Sequence, residues 1–411
     1  MTTTADLLAA GKRFFVPIYK PRETILERGL GARVWDRDGK EYVDFGAGIA
    51  VCGLGHCDPD LVKALTEQAG KLWHTSNVFY SEPPLRLAEE LVEASRFAER
   101  VFLCNSGAEA NEAAIKLARK WAAAQGRPPE KRVIVTFRGS FHGRTLAAVT
   151  ATAQPKYQEG YEPLPGGFRY LDFNDLAQAE AAFSAGDVAA VLVEPIQGEG
   201  GVMPAAPGFL RSLHALCDKH DALLLLDEIQ CGMGRTGQLF AHWHDGIKPD
   251  IVTLAKALGG GFPIGAVLAT AEAASGMTPG SHGSTFGGNP LAIASANAVL
   301  DVMLKPGFFD HVQKMSLLLK QKLASVVDRY PAVLSEVRGE GLLVGVKAVV
   351  PSGDLVNALR DQKLLTVGAG DNVVRFLAPL IVTEAEIDES IEMLERACVA
   401  LSGNQLKKAA G

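Results

Sequence analysis

Between about residues 60 and 300, short apolar runs alternate with helical stretches. The runs are RVFLC, RVIVTF, AAVLVEP, ALLLLDE, DIVTLAK and GAVLAT. Because each run is apolar at consecutive positions, both faces of the strand that it predicts are covered. This pattern is typical of a mostly parallel sheet with helices on both sides. The sequence therefore predicts an α/β protein with a doubly wound core.

Different patterns flank this core. The segment ARVWDRDGKEYVDF alternates apolar and polar residues around Asp38 and Gly39, a dipeptide that tolerates positive φ, and predicts a β-hairpin. Nearer the C-terminus, two strand candidates (GLLVGVKAVV and NVVRFLAPLIV) and a final amphipathic helix predict a smaller α+β domain. We expect an N-terminal segment (1–55) that packs with the small domain, a large domain (56–305) and a C-terminal small domain (306–411).

Composition narrows the classes of function. The chain has 411 residues and a net charge of −6, and it lacks the basic face that nucleic-acid binding needs. No apolar run approaches the roughly 20 residues of a membrane span, and the N-terminus lacks the apolar core of a signal peptide. The cysteines form no CxxC pair, and His242 and His244 predict a surface turn rather than a metal site. We expect a cytoplasmic protein without a metal, a nucleic-acid partner or a membrane.

Charged side chains directly follow two of the predicted strands. Asp227 and Glu228 end the run of four leucines, and Lys256 ends the next run, 29 residues after Asp227. Ligands bind at the carboxyl ends of parallel strands, and the separation matches one β-α-β unit, so we expect Asp227 and Lys256 at the same edge of the sheet. A plain salt bridge between them is the alternative to a chemical role.

Two further segments supply groups that a phosphorylated cofactor would need. Ser106, Gly107 and Ala108 lead from a strand into a helix, where free N–H groups can hold a phosphate; an ordinary N-cap at Ser106 is the alternative. Phe141 and Arg144, in FRGSFHGRT, offer a flat ring and a guanidinium that grips carboxylates; a core aromatic and a surface arginine are the alternative. An amine, a carboxylate, an anion cradle and a stacking ring together indicate pyridoxal phosphate.

Six segments in combination resemble the class III aminotransferases of fold type I, and among them the acetylornithine aminotransferases. They are SGAEANE, FHGRT, EPIQGEGG, LLLDEIQCGMGRTG, LAKALGGGFPIGA and STFGGNP, and the resemblance covers nearly the whole chain. It implies a large domain with a mostly parallel seven-stranded sheet flanked by helices, a smaller α+β domain, and pyridoxal 5'-phosphate as cofactor. Ala108 stands where many relatives carry Thr, which costs at most one side-chain contact because backbone N–H groups would hold the phosphate.

The resemblance also implies a role for each cofactor residue. Lys256 would hold the cofactor as a Schiff base and act as general base and acid, so we expect a depressed pKa for its amine. The glycines after Lys256 would let the backbone pass close to the cofactor. Asp227 would pair with the ring nitrogen, Phe141 would stack on the ring, and Gln230 would lie near the phenolic oxygen. The implied cofactor-binding residues are Ser106, Gly107, Ala108, Phe141, Asp227, Glu228, Ile229, Gln230, Lys256 and Thr285.

The implied substrate-binding residues are Arg144, Glu199, Ser284 and Arg375. Arg144 would bind the α-carboxylate of the acylated ornithine, with Ser284 also at the substrate. Arg375 would bind the α-carboxylate of glutamate or 2-oxoglutarate, and Glu199 would pair with Arg375 when the other substrate is bound. Residues 276–290 are rich in Gly, Ser and Pro, which is typical of a flexible loop. By resemblance this loop is ordered, and Thr285 reaches the neighbouring subunit of a homodimer.

The expected reaction is the transfer of the δ-amino group of N2-acetyl-L-ornithine to 2-oxoglutarate by a ping-pong mechanism. The products are N-acetyl-L-glutamate 5-semialdehyde and L-glutamate, as in arginine biosynthesis. Succinylornithine, ornithine, 4-aminobutyrate and N-succinyldiaminopimelate are the alternative amine donors. An aminomutase or a racemase, which needs no 2-oxoglutarate, and a non-catalytic protein that binds pyridoxal phosphate are alternatives of a different class.

Overall fold

A computed structural model describes residues 3–409 of the chain, with side-chain surroundings for residues 3–403. Its strands are β1 (Leu26–Leu30), β2 (Arg33–Asp36), β3 (Glu41–Asp44), β4 (Arg100–Cys104), β5 (Val133–Phe137), β6 (Phe168–Leu171), β7 (Val188–Val193), β8 (Ile196–Gln197), β9 (Met203–Pro204), β10 (Leu223–Asp227), β11 (Ile251–Leu254), β12 (Gly265–Ala269), β13 (Leu334–Glu340), β14 (Leu343–Ala348), β15 (Leu364–Leu365), β16 (Val367–Gly368) and β17 (Val373–Phe376). Its α-helices are α1 (Thr4–Phe14), α2 (Ala47–Ala50), α3 (Pro59–Ala69), α4 (Glu82–Ser95), α5 (Gly107–Ala124), α6 (Leu146–Ala151), α7 (Leu176–Ser184), α8 (Phe209–Lys219), α9 (Ala271–Ala274), α10 (Pro290–Met303), α11 (Phe308–Arg329), α12 (Ser352–Asp361) and α13 (Glu384–Ala409).

The central sheet has seven strands in the order β4-β12-β11-β10-β7-β5-β6. Strand β10 pairs in parallel with β7 and β11, whereas β12 is antiparallel to both of its neighbours. Every residue of β7, β10 and β11 is buried, because helices cover both faces of the sheet. The predicted mostly parallel sheet is confirmed, and its carboxyl edge gathers the segments that follow β4, β5, β7, β10 and β11.

The connection between β10 and β11 differs from the predicted β-α-β unit. Residues 228–250 form turns and one short 3-10 helix, Ala241–His244, without an α-helix. The predicted surface turn at His242 is also wrong, because His242 is 1% exposed and its Nδ1 lies 2.7 Å from Oε1 of Glu228. Both strands still end at the same edge, because β10 and β11 pair directly in parallel.

The predicted hairpin and the C-terminal elements are present. Strands β2 and β3 pair antiparallel across the turn that contains Gly39, whose φ is 79°. Strand β3 also pairs in parallel with β15, which joins the N-terminal hairpin to the C-terminal part of the chain. A separate four-stranded sheet has the order β13-β14-β17-β16. Helix α13 buries Ile387, Leu394 and Cys398, in agreement with its predicted amphipathic pattern.

Two helix starts show how local sequence sets the element boundaries. Helix α10 begins at Pro290, with the side chain of Asn289 accepting the N–H of Ala292. Helix α1 was not predicted, although Thr3 and Asp6 form a capping box at its start. In the part of the chain that the structure describes, no single helix is long and apolar enough to cross a membrane; only the bent pair α10 and α11 passes that test together.

Candidate active site

A cavity of about 430 Å³ opens at the carboxyl edge of the central sheet. Most of the residues around it come from the chain just after β4, β5, β7, β10 and β11. Residues of the loop before β12 also line it. Its lining includes ten of the predicted site residues: Ser106, Gly107, Ala108, Phe141, Arg144, Glu199, Asp227, Ile229, Gln230 and Lys256. The structure thus brings together residues that lie up to 150 positions apart in the sequence.

Asp227, the last residue of β10, is held by three hydrogen-bond donors. Its Oδ2 accepts the Nδ2–H of Asn111 at 2.7 Å and lies 2.7 Å from Nδ1 of His142, which therefore carries the proton. Its Oδ1 accepts the N–H of Ile229 at 3.0 Å. Asn111 is itself fixed by the hydroxyl of Thr253, which donates to its Oδ1 at 2.9 Å. These donors offset the cost of burying a carboxylate that is only 3% exposed.

Lys256 begins a short 3-10 helix just after β11 and has a φ of 46°. A non-glycine residue in this left-handed region costs roughly 1–3 kcal/mol and is characteristic of functional sites. The pKa of Lys256 is lowered to about 8; removal of the amine from water is the largest cause, and the nearby positive charge of Arg375 is the second. The expected depressed pKa is confirmed in direction.

The three glycines after Lys256 do not all serve the cavity. A Cβ on Gly259 would lie 2.7 Å from Ile264, and one on Gly260 would lie 2.3 Å from Leu61, so these two positions allow close packing of the turn. Only Gly261 lines the cavity. The prediction that the glycines as a group make room for the cofactor is therefore too broad.

Helix α5 points its N-terminus into the cavity. Ser106 is its N-cap, and the Ser106 hydroxyl accepts the N–H of Glu109 at 3.2 Å. The first N–H groups of a helix have no partner within the helix, so those of Gly107 and Ala108 are available to an anion. A Cβ on Gly107 would lie 2.8 Å from Ile229, so this turn packs closely against the wall of the cavity. N-capping and anion binding are therefore compatible here.

Arg375, on β17, lies behind the cavity wall and is 1% exposed. Its Nη1 donates to Oε1 of Glu199 at 2.7 Å and to Oε1 of Gln230 at 3.1 Å, and its Nη2 donates to the carbonyl of Gly368 at 3.0 Å. Glu199 and Gln230 both line the cavity. The predicted pairing of Arg375 with Glu199 is thus a direct contact.

An aromatic and cationic cluster also borders the cavity, through Phe141 and Arg144. The guanidinium of Arg144 lies 4.0 Å from the ring centre of Tyr157 and 5.5 Å from that of Phe141. The two rings meet edge to face at 5.9 Å. The backbone N–H of Phe141 donates to Oε2 of Glu194 at 3.0 Å. Tyr157 thus fixes the guanidinium beside the cavity by a cation–π contact.

Three predicted residues are placed elsewhere. The side chain of Glu228 points away from the cavity, because neighbouring residues of an extended strand alternate in direction, and it accepts the N–H groups of Ala241 and His242. Glu228 was predicted to bind the cofactor, and its carboxylate lies outside the lining of this cavity. Ser284 lines a second cavity of about 380 Å³, where its hydroxyl accepts from Nδ2 of Asn105 at 3.1 Å, and Thr285 is exposed.

Four residues at the site were missed by the sequence interpretation: Asn111, His142, Tyr157 and Glu194. Glu194 directly follows β7, just as Asp227 is the last residue of β10. The pattern of polar residues at strand ends could therefore have identified Glu194. Asn111 and His142 lie in recognised motifs, but they meet Asp227 across 116 and 85 residues, which no local pattern reveals. Tyr157 carried no sequence signal that we can identify.

The residues that line the cavity fit pyridoxal phosphate. Lys256 offers an amine with a lowered pKa, Asp227 is a buried carboxylate that three donors hold in place with acceptor capacity left over, and the start of α5 presents N–H groups. Phe141 and Ile229 supply apolar surfaces in the same cavity. The donor set therefore matches the aldehyde, the ring nitrogen, the phosphate and the ring of this cofactor.

Comparison with known proteins agrees with this chemistry. The family model described as Aminotransferase class-III matches residues 17–398. The chain is 62% identical over 401 residues to the acetylornithine aminotransferase of Xanthomonas axonopodis pv. citri, covering 97% of this chain and 98% of that protein. It is also 62% identical over 395 residues to acetylornithine aminotransferase 1 of Bradyrhizobium diazoefficiens, covering 96% of this chain and 97% of that protein.

Solved structures give the same result. The N-acetylornithine aminotransferase of Stenotrophomonas maltophilia is 54% identical, with a TM-score of 0.85 over 97% of this chain and 100% of that one. The ornithine aminotransferase of Toxoplasma gondii is 35% identical, with a TM-score of 0.94 over 98% of this chain and 97% of that one. The chain therefore belongs to the class III aminotransferases, which are enzymes that depend on pyridoxal phosphate.

Proposed function

We propose that this enzyme transfers the δ-amino group of N2-acetyl-L-ornithine to 2-oxoglutarate, giving N-acetyl-L-glutamate 5-semialdehyde and L-glutamate in arginine biosynthesis. The observation that carries the proposal is one cavity that unites Lys256, Asp227 and the start of α5. This cavity belongs to a chain that is 62% identical to a protein named acetylornithine aminotransferase.

In this proposal four parts of the chain hold the cofactor. Pyridoxal phosphate, when bound, supplies an aldehyde that condenses with amines and a ring that withdraws electrons. Lys256 would bind the aldehyde through Nζ, and Asp227 would hold a proton at the ring nitrogen. The N–H groups of Gly107 and Ala108 bind the phosphate. Phe141, which lines the cavity, would pack against the ring and exclude water from it.

Lys256 is also the proton carrier of the proposed reaction. With a pKa of about 8, a larger fraction of its amine is uncharged near neutral pH than for an ordinary lysine with a pKa of 10.5. Once the substrate amine has displaced Lys256 from the aldehyde, the uncharged Nζ would be free to take the proton from the carbon that bears the donated amine. The same atom, once protonated, acts as the acid.

Two arginines let different substrates use one cavity in turn. Arg375 is neutralised by Glu199 in the structure, and release of Glu199 would free the guanidinium for the α-carboxylate of glutamate or 2-oxoglutarate. Arg144 lines the cavity and would bind the α-carboxylate of acetylornithine, with Ser284 also at the substrate. The proposed cycle is accordingly ping-pong.

We also propose that the enzyme is a cytoplasmic homodimer in which Thr285 reaches the cofactor phosphate of the partner subunit. Phe79, Tyr80 and Phe286 are more than 60% exposed beside the loop that carries Thr285, and such an apolar patch favours an interface. The division into residues 1–55, 56–305 and 306–411 stays part of the proposal. The pairing of β3 with β15 supports the packing of the first unit with the last.

The deciding experiment is a competition between acetylornithine, succinylornithine and ornithine as amine donors, with formation of glutamate from 2-oxoglutarate as the readout. We expect the highest kcat/KM for acetylornithine. The similarity to the Toxoplasma gondii ornithine aminotransferase makes free ornithine the second candidate. Equal or faster turnover of ornithine would overturn the acetylornithine assignment.

The same assay covers 4-aminobutyrate and N-succinyldiaminopimelate, and a product formed without 2-oxoglutarate would indicate an aminomutase or a racemase. Lys256→Ala is the control for the chemistry. It should abolish turnover while the protein keeps its fold and its oligomeric state. Substantial turnover by that variant would contradict the role of Lys256.

A further inference from the structure

Glu194 is a buried carboxyl group in the same cavity that has no part in the reaction described above. It directly follows β7 and is 5% exposed. Its Oε2 accepts the backbone N–H of Phe141 at 3.0 Å, and its carboxyl group also accepts the backbone N–H of Gly198. Glu194 therefore fixes the main chain of the aromatic residue that borders the cavity.

The register of the sheet places Glu194 beside Asp227. Strands β7 and β10 pair in parallel with Val193 opposite Leu226, so the next residues of the two strands are Glu194 and Asp227. Neighbouring strands lie about 4.8 Å apart. Both residues line the cavity, and a negative charge on Asp227 disfavours a second negative charge on the buried Glu194.

The hydrogen-bond partners decide which carboxyl group keeps the proton. Asp227 accepts from Asn111 and from His142 as well as from one backbone N–H, whereas Glu194 has backbone donors only. Burial, followed by the charge of Asp227, raises the pKa of Glu194 well above its usual value. Burial and the smaller set of donors thus favour the protonated form of Glu194.

We propose that Glu194 is a positioning residue that works as an uncharged carboxylic acid. It anchors the N–H of Phe141, which orients the ring against the cofactor, and it leaves Asp227 ionised for the ring nitrogen. The inference rests on the proposed function, because it assigns Glu194 a task in binding the same cofactor. Its charge state can nevertheless be measured without turnover.

The first test is infrared difference spectroscopy of the enzyme minus Glu194→Gln near neutral pH, on protein labelled with 13C at the glutamate side-chain carboxyl. We expect the C=O stretch of one protonated glutamic acid to be present in the wild-type enzyme and absent from the variant, in both the apoenzyme and the holoenzyme. A difference spectrum that contains only carboxylate bands would overturn the proposal.

The second test follows the pH titration of the absorbance of the linkage between the cofactor and Lys256. Glu194→Gln should leave its midpoint in place, because the substitution removes no charge. Removal of an ionised carboxylate would lower the midpoint by about 1 unit or more and would contradict the proposal. If the protein gives no cofactor absorbance, the proposed function fails, while the spectrum of the apoenzyme still reports on Glu194.

Kinetics separate positioning from a purely structural role. Glu194→Gln keeps an acceptor for the N–H of Phe141 and should lower kcat less than about tenfold, the scale of one hydrogen bond. Glu194→Leu removes the acceptor and should lower kcat about 10²-fold with a smaller change in KM, because the ring platform shifts. Equal losses of kcat in the two variants would show that Phe141 is not anchored through this carboxyl group.

Discussion

At the scale of single residues, the pKa of Lys256 controls how fast the apoenzyme can recapture its cofactor. Only the uncharged amine attacks an aldehyde, so the rate of recapture follows the deprotonated fraction of Nζ. Because the pKa is lowered to about 8, the rate should rise with pH and level off above a midpoint near 8. Stopped-flow absorbance at a series of pH values measures this midpoint. A midpoint close to 10.5 would show that the amine is not desolvated.

Arg375 and Glu199 should shift this midpoint in opposite directions. The charge of Arg375 lowers the pKa of Lys256, and that of Glu199 raises it. Arg375→Gln should therefore move the midpoint of cofactor recapture to higher pH, and Glu199→Gln should move it to lower pH. Each substitution also releases the remaining partner of the ion pair, which adds to its effect. Shifts of the same sign in both variants would contradict this electrostatic account.

Site residues could be predicted from the sequence where they lie at the carboxyl end of a predicted strand. Lys256 and Asp227 followed from the position of polar residues after apolar runs, because parallel strands bring their carboxyl ends to one edge. The side chain of Glu228 turns away from the cavity because adjacent residues of an extended strand point in opposite directions, so the side chain of only one of two consecutive acids can face the cavity. Asn111 and His142 were missed because their contacts with Asp227 exist only after the sheet and α5 have packed together.

At the scale of secondary-structure elements, the turn after Lys256 is held by packing against two helices. Gly260 has a φ of 58°, and a Cβ there would lie 2.3 Å from Leu61 of α3 and 3.0 Å from Val299 of α10. The turn can approach these helices only because it lacks a side chain at this position. Close packing of this turn is therefore part of what supports the strained backbone of Lys256.

Gly260→Ala should destabilise the apoenzyme more than a matched glycine substitution does. Gly246 has a similar φ of 66° but no neighbour within 4 Å of an added Cβ, so Gly246→Ala carries only the backbone cost, about 1–2 kcal/mol. Gly260→Ala adds overpacking of about 1–3 kcal/mol. Chemical denaturation of both variants measures the difference in the free energy of unfolding. Equal losses in the free energy of unfolding would show that α3 and α10 can move to accommodate the added methyl group without destabilising the protein.

Elements were predictable where one strong local pattern decides them. The strands of the central sheet are continuous apolar runs, and the hairpin of β2 and β3 has an Asp-Gly turn, so both were found. The reversed direction of β12 was not predicted, because an apolar run carries no information about strand direction. The connection from β10 to β11 was expected to contain a helix, yet residues 228–250 form mainly turns that are anchored by Glu228.

At the scale of the whole molecule, one protomer does not bring all the predicted site residues to one cavity. Ser284 borders the second cavity, while Asn105 lines the first cavity and donates to the hydroxyl of Ser284. Thr285 is exposed and lies outside the lining of the cavity that contains Lys256. If Thr285 binds a cofactor phosphate, the site that it completes therefore belongs to another subunit.

Mixed dimers, in which one protomer carries Lys256→Ala and the other carries Thr285→Val, test whether Thr285 acts in the site of the other subunit. Lys256→Ala should be inactive, and Thr285→Val should bind pyridoxal phosphate more weakly, because a hydrogen bond to a charged group contributes about 1.5–3 kcal/mol. In a mixed dimer, the protomer that keeps Lys256 receives an intact Thr285 from the partner subunit, so one site is complete. Co-refolded mixtures purified through two different tags should therefore regain wild-type cofactor affinity in half of their sites. If Thr285 acted within its own subunit, the mixed dimer would bind no better than Thr285→Val alone, because the protomer with Lys256 would still lack the hydroxyl.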